Sequence, residues 1–266
     1  MADIGFVGPG QLGLPMVERL LGSGHALTVH ARRPDVRQQL EDLGATSTDD
    51  LTTVARDSDV VIVCVFSDDQ LREVGPALIA AMSSGSTLVS HVTGTVALIR
   101  SLAASGAERR VSVVDAPVSG TADDIRNGRL TVLLGGDEEP RDRVAGIVSA
   151  YADSVLPAGG LGTALATKLI NNLLFSANVQ LVAEAVRLGR DLGIESTTLL
   201  TALAHSSGGS YASTAAAQHE SMEIFGTQIG RFLAKDVAAC KAQAADLGVD
   251  PGLLTTVVAD GPLALA

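Results

Sequence analysis

The sequence predicts an α/β fold: a doubly wound, mainly parallel sheet over residues 1–160, followed by an all-helical domain over residues 161–266. Three observations predict it. Through about residue 157, short apolar runs alternate with segments of helical spacing, the pattern of βαβ units. The run Val60-Val61-Ile62-Val63-Cys64-Val65-Phe66 is apolar without a break, as in a strand buried on both faces. Beyond Pro157-Ala158-Gly159-Gly160 the β signal fades, and apolar residues recur at helical spacing to about Asp191. A length of 266 residues suits two domains at about 150 residues each.

Taken in order, residues 4–7 form a short apolar strand that ends in glycine, and residues 12–21 have helical spacing. Residues 26–30 are a second strand and residues 34–43 a second helix. Residues 60–66, 87–90 and 111–114 read as buried strands, with residues 130–134 and 155–156 as later candidates. The second half opens on one long helix over residues 161–191, where Leu165, Leu169, Asn172, Leu173, Ser176 and Gln180 fall close to one face or its flank. Residues 195–203 and 231–247 are further helices, with Gly/Ser-rich residues 206–210 between them.

Composition excludes several function classes. Hydrophobic residues make up 46% and charged residues 18%, the reverse of a disordered chain. The net charge of −11 argues against non-specific binding to nucleic acid or to an anionic membrane. Aromatics are 3% with no Trp, so base-stacking platforms are not expected, and the core must be built from Ala, Val, Leu and Ile. Cys64 and Cys240 give no disulfide framework, and no Cys pair or His cluster has ligand spacing, so no metal site is expected. Cys64 reads as a buried thiol acting as a small hydrophobe. The N-terminus carries no signal-peptide pattern, and no uninterrupted apolar run approaches the ~18 residues of a membrane span. A soluble, cytoplasmic protein is expected.

Gly8-Pro9-Gly10-Gln11-Leu12-Gly13 reads G-x-G-x-x-G between the first strand and first helix. In that setting Gly8 permits a tight turn, Gly10 lets the backbone approach a pyrophosphate, and Gly13 lets helix and strand pack closely. The phosphates meet backbone N–H groups, among them those near Gln11 and Leu12, and the positive end of the helix dipole. This is the phosphate loop of a Rossmann-type dinucleotide site. An NAD site places Asp or Glu about 20 residues on. Here the second strand ends Val29-His30-Ala31-Arg32-Arg33-Pro34, with no carboxylate until Asp35. Arg32 and Arg33 offer planar forks for a 2′-phosphate, so NADP(H) is the expected cofactor.

Asp115-Ala116-Pro117-Val118-Ser119-Gly120, together with Gly13-Leu14-Pro15-Met16 and Lys168-Leu169-Ile170-Asn171-Asn172, resembles the β-hydroxyacid dehydrogenase family. Its members include 3-hydroxyisobutyrate dehydrogenase and tartronate semialdehyde reductase. The resemblance runs from Ile4 to about Leu247. It implies an NADP-dependent oxidoreductase that interconverts a small β-hydroxy acid and its semialdehyde or keto form by hydride transfer. Lys168 aligns with the family's catalytic lysine, the general acid/base, and Asn172 lies one helical turn on. Ser119 and Gly120 match the loop that binds the substrate carboxylate, with Thr121 next to them. Lys235-Asp236 resembles the Lys-Asp pair near cofactor and substrate. Thr93 falls near the nicotinamide ribose, and Phe66-Ser67 lies along the cofactor. A lysine serves such proton transfer when it is partly desolvated.

The chain departs from the family pattern in several places. Thr121 replaces a second glycine, and its bulk is expected to narrow the substrate pocket. Asp123 and Asp124 add charge to that loop and read as a solvated turn. His91 replaces the usual Asp and reads as packing or capping. Ala164 and Leu165 replace Gly and Gln. The family commonly continues beyond the position of Ala266, so the closing side of the pocket is expected to be missing, disordered or supplied by a partner subunit. His205 and His219 fit helix surfaces or caps. Two alternatives stand beside the dehydrogenase reading: an imine reductase-like NADPH enzyme of the same architecture, which typically replaces the lysine, and a non-catalytic NADP-binding protein. The apolar, Ala-rich helical half is expected to form a homodimer or larger homo-oligomer.

Overall fold

In the computed structural model, which describes residues 2–219 and 221–265, the chain begins with β1 (Asp3–Val7), α1 (Gly13–Gly22) and β2 (Ala26–His30). Then come α2 (Pro34–Asp42), β3 (Thr46–Thr48), α3 (Leu51–Arg56) and β4 (Val60–Val63), followed by α4 (Asp68–Ala81), β5 (Thr87–Ser90), α5 (Val96–Ala107) and β6 (Ser112–Asp115). The chain next turns back through β7 (Val118–Ser119), α6 (Ala122–Arg126), β8 (Leu130–Gly135), α7 (Glu138–Val148) and β9 (Ala152–Gly159). Only helices follow: α8 (Thr163–Asp191), α9 (Ser196–Ala204), α10 (Tyr211–Ala216), α11 (Met222–Asp246) and α12 (Leu253–Asp260).

The strands form one sheet in the order β3-β2-β1-β4-β5-β6-β8-β7, with β9 on β8. The six from β3 to β6 are parallel, and β8 runs antiparallel to β6 and β7. Ile4 pairs with Val60 and Val7 with Val63, so the order reverses between β1 and β4. Ligands of open α/β sheets bind at such a reversal, outside the carboxyl ends of the strands.

Strand periodicity divides the apolar residues between two layers. Val60 and Ile62 join Phe6, Leu20 and Val29 on one face. Val61 and Val63 join Leu71, Leu78, Leu88 and Leu102 on the other. With both faces covered, β4 reads as a continuous apolar run. It stops at Val63, before the end read from the sequence, because the chain leaves the sheet at Cys64, and Phe66 beyond it is 45% exposed. Helix starts follow local chemistry: Asp50 accepts from Thr52 and Thr53 at α3, Ser67 accepts from Gln70 at α4, and Pro34 opens α2.

Two strands carry no apolar signal, and one helix starts earlier than its signal. Strand β3 is Thr-Ser-Thr and β7 has two residues, so pairing with neighbours alone defines them. Helix α11 starts nine residues ahead of the expected residue 231. Gly226 and Gly230 weaken the helical pattern there, but a Cβ at Gly226 would meet Leu263 at 3.0 Å, so the glycine gives room for close packing.

The chain divides into two compact units, Met1–Lys168 and Leu169–Ala266, and the division falls inside α8 rather than ahead of it. The first turn of α8 belongs to the sheet unit because Leu165 is buried in its second layer. The helical unit has its own core, with Leu169, Leu173, Ala177, Val186, Phe225, Leu233 and Val258. By length and composition α8 could cross a membrane, at a mean hydropathy of 1.2, but 56% of its apolar window is buried inside the protein. Its Asn172 and Gln180 are buried and used internally. Gln180, 1% exposed, donates to the carbonyls of Val258 (3.0 Å) and Leu263 (2.7 Å) and accepts from the Leu263 N–H (2.9 Å).

Replacing Gln180 with Leu leaves three backbone groups without their partner, so Gln180→Leu is expected to lose about 1–3 kcal/mol of stability in urea unfolding. An unchanged midpoint would show that the amide clamp contributes nothing.

Candidate active site

The Gly-rich loop joins β1 to α1. Gly8 has φ +97, a left-handed value that favours glycine, and a Cβ there would collide with the Cys64 carbonyl of the loop after β4. Its carbonyl accepts from the Gly10 N–H at 2.8 Å, closing the turn. Gly13 lies against that same carbonyl and the Phe6 ring, where any side chain would clash. Gly10 differs, since a Cβ there would meet nothing within 4 Å. Its outer side is therefore open. Among the described residues, the N–H groups of Gln11 and Leu12 have no hydrogen-bond acceptor. Two donors at a helix N-terminus beside an open glycine fit a diphosphate.

The other residues singled out in the sheet unit lie on segments that leave the carboxyl ends of its parallel strands. Arg32 and Arg33 follow β2, and both are exposed. Arg33 lies 3.6 Å from Asp35, both largely in solvent, so this pair contributes little. Arg32 makes no ion pair among the described residues. Phe66 follows β4, and its N–H donates to the Gln70 amide oxygen at 2.8 Å. Thr93, half-buried, follows β5. The next residues are held by Asp68, which accepts from both the N–H and the hydroxyl of Thr95. Ser119 and Gly120 are exposed, just beyond β6, with Ser119 paired to Thr131 and Gly120 at φ +138.

Asp115, at the end of β6 and 1% exposed, accepts from the N–H groups of Gly162 and Leu165, each at 2.8 Å. It thereby caps α8. A Cβ at Gly135 would collide with this carboxylate, so glycine is required there. Burial pushes the Asp115 carboxyl up, while the N–H groups pull it down. One turn past Leu165, Lys168 is 9% exposed, and Asn172 a turn later is 7% exposed. In the helical unit, the Asn172 amide donates to Asp236 at 2.6 Å, and Lys235 lies 3.3 Å from the other Asp236 oxygen. Asp236 is itself 8% exposed. Buried polar side chains on apolar helices are costly unless paired, and these are organised.

Comparison with known proteins identifies relatives of this chain. A family model described as the NAD binding domain of 6-phosphogluconate dehydrogenase matches residues 3–160. A second, described as the NAD-binding domain of NADP-dependent 3-hydroxyisobutyrate dehydrogenase, matches residues 162–261. An uncharacterized oxidoreductase of Shewanella frigidimarina is 33% identical, covering 73% of this chain and 68% of its own. A probable mitochondrial 3-hydroxyisobutyrate dehydrogenase of Arabidopsis thaliana is 29% identical over 92% of this chain and 78% of its own.

The chain belongs to the β-hydroxyacid dehydrogenase family. Like the dehydrogenases it matches, it is an oxidoreductase acting on CH–OH groups with an NAD(P)-binding domain. The solved structure of Mycobacterium tuberculosis 3-hydroxyisobutyrate dehydrogenase with L-serine has the same fold, with a TM-score of 0.88 at 22% identity over 97% of this chain and 92% of that one. A Streptomyces aurantiacus imine reductase shares the fold less closely, with a TM-score of 0.67 at 17% identity over 97% and 92%.

In this β-hydroxyacid dehydrogenase, the loop after Ser119 is closed by a helix cap. Thr121 is the N-cap of α6: its N–H and hydroxyl meet one oxygen of Asp124, at 2.8 and 2.7 Å, and its hydroxyl accepts from the Asp124 N–H. These bonds hold Asp124's carboxyl below the usual range. Asp124 is thus a capping partner and not a freely solvated charge, whereas Asp123 pairs with Arg126 at 2.8 Å. The Thr121 hydroxyl is committed to the cap.

His91 is fully enclosed. Its Nδ1–H donates to the Ala116 carbonyl, which has no proton to give, so Nε2 accepts from the Tyr151 hydroxyl at 2.8 Å. Burial lowers the imidazole to about 4, so it is neutral at pH 7. His205 follows α9, and His219 bridges the Ala215 carbonyl and Gln228. Burial pushes the Cys64 thiol up to about 12, leaving it unreactive.

In the unfolded chain His91 titrates near 6.5; in the fold it titrates near 4. Below pH 6.5 the unfolded state binds the extra proton, so stability falls with pH through that window. About 2 kcal/mol of wild-type stability is expected to disappear between pH 7 and 5 on this account. That increment should be missing from the same urea titrations of His91→Gln, and equal slopes in both proteins would overturn the assignment.

Proposed function

We propose that this β-hydroxyacid dehydrogenase is an NADP(H)-dependent enzyme of the cytoplasm that interconverts a small β-hydroxy acid and its semialdehyde or keto form. The observation that carries the reading is the pair Lys168 and Asn172, two buried polar side chains one turn apart on a helix whose first turn is pinned by Asp115. An apolar helix has no packing reason to bury an ammonium and an amide side by side.

The open Gly10 edge and the Gln11 and Leu12 N–H groups would hold the diphosphate, and Arg32 with Arg33 the 2′-phosphate. When bound there, the dinucleotide would supply or take up the hydride at the substrate carbon. The chain's own work is the proton. Lys168 gives a proton to the substrate oxygen in reduction and removes it in oxidation. Asn172, held by Asp236, orients that oxygen or the amine. The Ser119 hydroxyl and the backbone at Gly120 would receive the carboxylate, with Thr121, whose N–H and hydroxyl are held by Asp124, lining the loop beside them. Lys235 would add positive charge for substrate or cofactor, and Phe66 and Thr93 would lie toward the nicotinamide half.

Lys168→Ala is expected to lower kcat by at least about a hundredfold for a semialdehyde with NADPH, while NADPH still raises the melting temperature as in wild type. Turnover that survives in Lys168→Ala would remove the mechanism, and turnover of an imine that survives would favour an imine reductase. A wild-type protein that melts at the same temperature with and without NADPH would remove the cofactor reading itself.

We also propose a homodimer or larger assembly of this chain. Ile170, Leu174, Leu181 and Leu188 are 47–59% exposed, at spacings of four, seven and seven along α8. A stripe at that repeat suits a second helix. Light scattering at micromolar concentration is expected to give a dimer or more, and a monomer there would sink the assignment.

A further inference from the structure

We infer that Arg37 is a positioning residue for the 2′-phosphate, acting through the turn that carries Arg32 and Arg33. The inference rests on the NADP(H) reading above. Arg37 projects from α2 back over the end of β2. Its single nitrogen Nη1 donates to two consecutive carbonyls, Ala31 and Arg32, each at 3.0 Å. Its side chain is only 25% exposed, and the same nitrogen lies 3.7 Å from Asp49.

Two physical consequences follow. First, a planar guanidinium that bridges adjacent carbonyls fixes the backbone between them, so the Cα of Arg32 has one position rather than several. A phosphate fork needs that, because a long exposed side chain on a loose turn loses entropy on binding. Second, the bridge covers negative ends that a dianion would otherwise face. The carbonyls of Ala31 and Arg32 point at Arg37, and Asp49 is paired with it. The remaining acids nearby are accounted for: Asp35 lies beside Arg33, and Asp50 accepts from Thr52 and Thr53. His30 is driven toward the neutral form by burial, with the Arg32 charge adding to that, so it supplies little positive charge. Arg32, which makes no ion pair among the described residues, keeps its full fork for the ligand.

Arg37 lies four residues past Arg33 and is not one of the arginines at the strand end. Its role shows only in the fold, because nothing in Pro34-Asp35-Val36-Arg37 says the side chain turns back.

The test is the ratio of dissociation constants for NADH and NADPH, measured by titration on the full chain, with 2′,5′-ADP as a third ligand. Arg37→Met removes the donors and keeps an apolar stem. It is expected to reduce the NADH/NADPH ratio about tenfold, through weaker binding of NADPH and 2′,5′-ADP, with NADH within about twofold of wild type. Arg37→Lys, which keeps the charge and can still reach a carbonyl, should recover part of the ratio. If Arg37→Met does not fold, Arg37→Gln, with one amide in place of the guanidinium, carries the same expectation. An unchanged ratio, or equal weakening of NADH and NADPH, overturns the inference. Arg32→Ala run alongside separates the two failures: if it collapses the ratio and Arg37→Met does not, only this inference falls. If wild type binds both dinucleotides alike, the NADP(H) reading falls and takes the inference with it.

Discussion

A buried carboxylate at the end of β6 pins the start of the helix that carries the proposed general acid/base. Asp115 receives two N–H groups from the start of α8, and those groups have no other backbone partner at a helix N-terminus. Burying a charge costs energy unless it is met by donors, and here the helix end supplies both the donors and a favourable dipole. The arrangement extends beyond one residue. Gly135 must lack a side chain to make room, and Asp115 and Gly135 are register partners between β6 and β8. The place where the sheet reverses direction and the place where the helix begins are therefore the same place. Lys168 comes one turn after the second of those N–H groups, so the cap fixes the lysine's height along the helix.

Much of this architecture is legible in the order of the amino acids. The strands of the first unit are apolar runs because both faces are covered, and their alternation with helices implies parallel pairing. The Gly-rich loop can be read residue by residue: Gly8 and Gly13 each have a separate steric reason within the fold, and Gly10 leaves an open edge. The elements that escape such a reading are those whose existence depends on neighbours. Thr-Ser-Thr at 46–48 is a strand because β2 lies beside it, and Gly226 sits inside a helix because Leu263 fills the space. Neither fact is a local property of the chain.

The site shows the same division. Lys168 and Asn172 stand out as polar types buried on an apolar helix, while Ser119, exposed on its loop, is picked out only by the motif around it. Asp115 stands in a recognisable motif, but its task, capping a helix 47 residues away, needs the fold to be seen. Gln180 is similar: its spacing places it near the inner face of a helix, while its partners lie 78 and 83 residues downstream. At Thr121 the sequence suggests bulk in a pocket, whereas the hydroxyl is spent on Asp124 three residues later. A Thr followed by Asp at that spacing ahead of a short helix was the available signal.

The pair His91 and Tyr151 has a consequence for how this protein can change over generations. Tyr151 meets the need of one imidazole nitrogen, Nε2, and that nitrogen meets the need of the phenol, in a dry interior between the end of β5 and the start of β9. Losing the phenol strands an imidazole nitrogen, and losing the imidazole strands a hydroxyl. Either single replacement leaves its partner unpaired, while a joint replacement by two apolar residues of matching volume avoids both of those losses and leaves only the Ala116 carbonyl without its donor. The two positions should therefore drift together across descendants of this sequence, and a lineage that changes one alone should show repair close by.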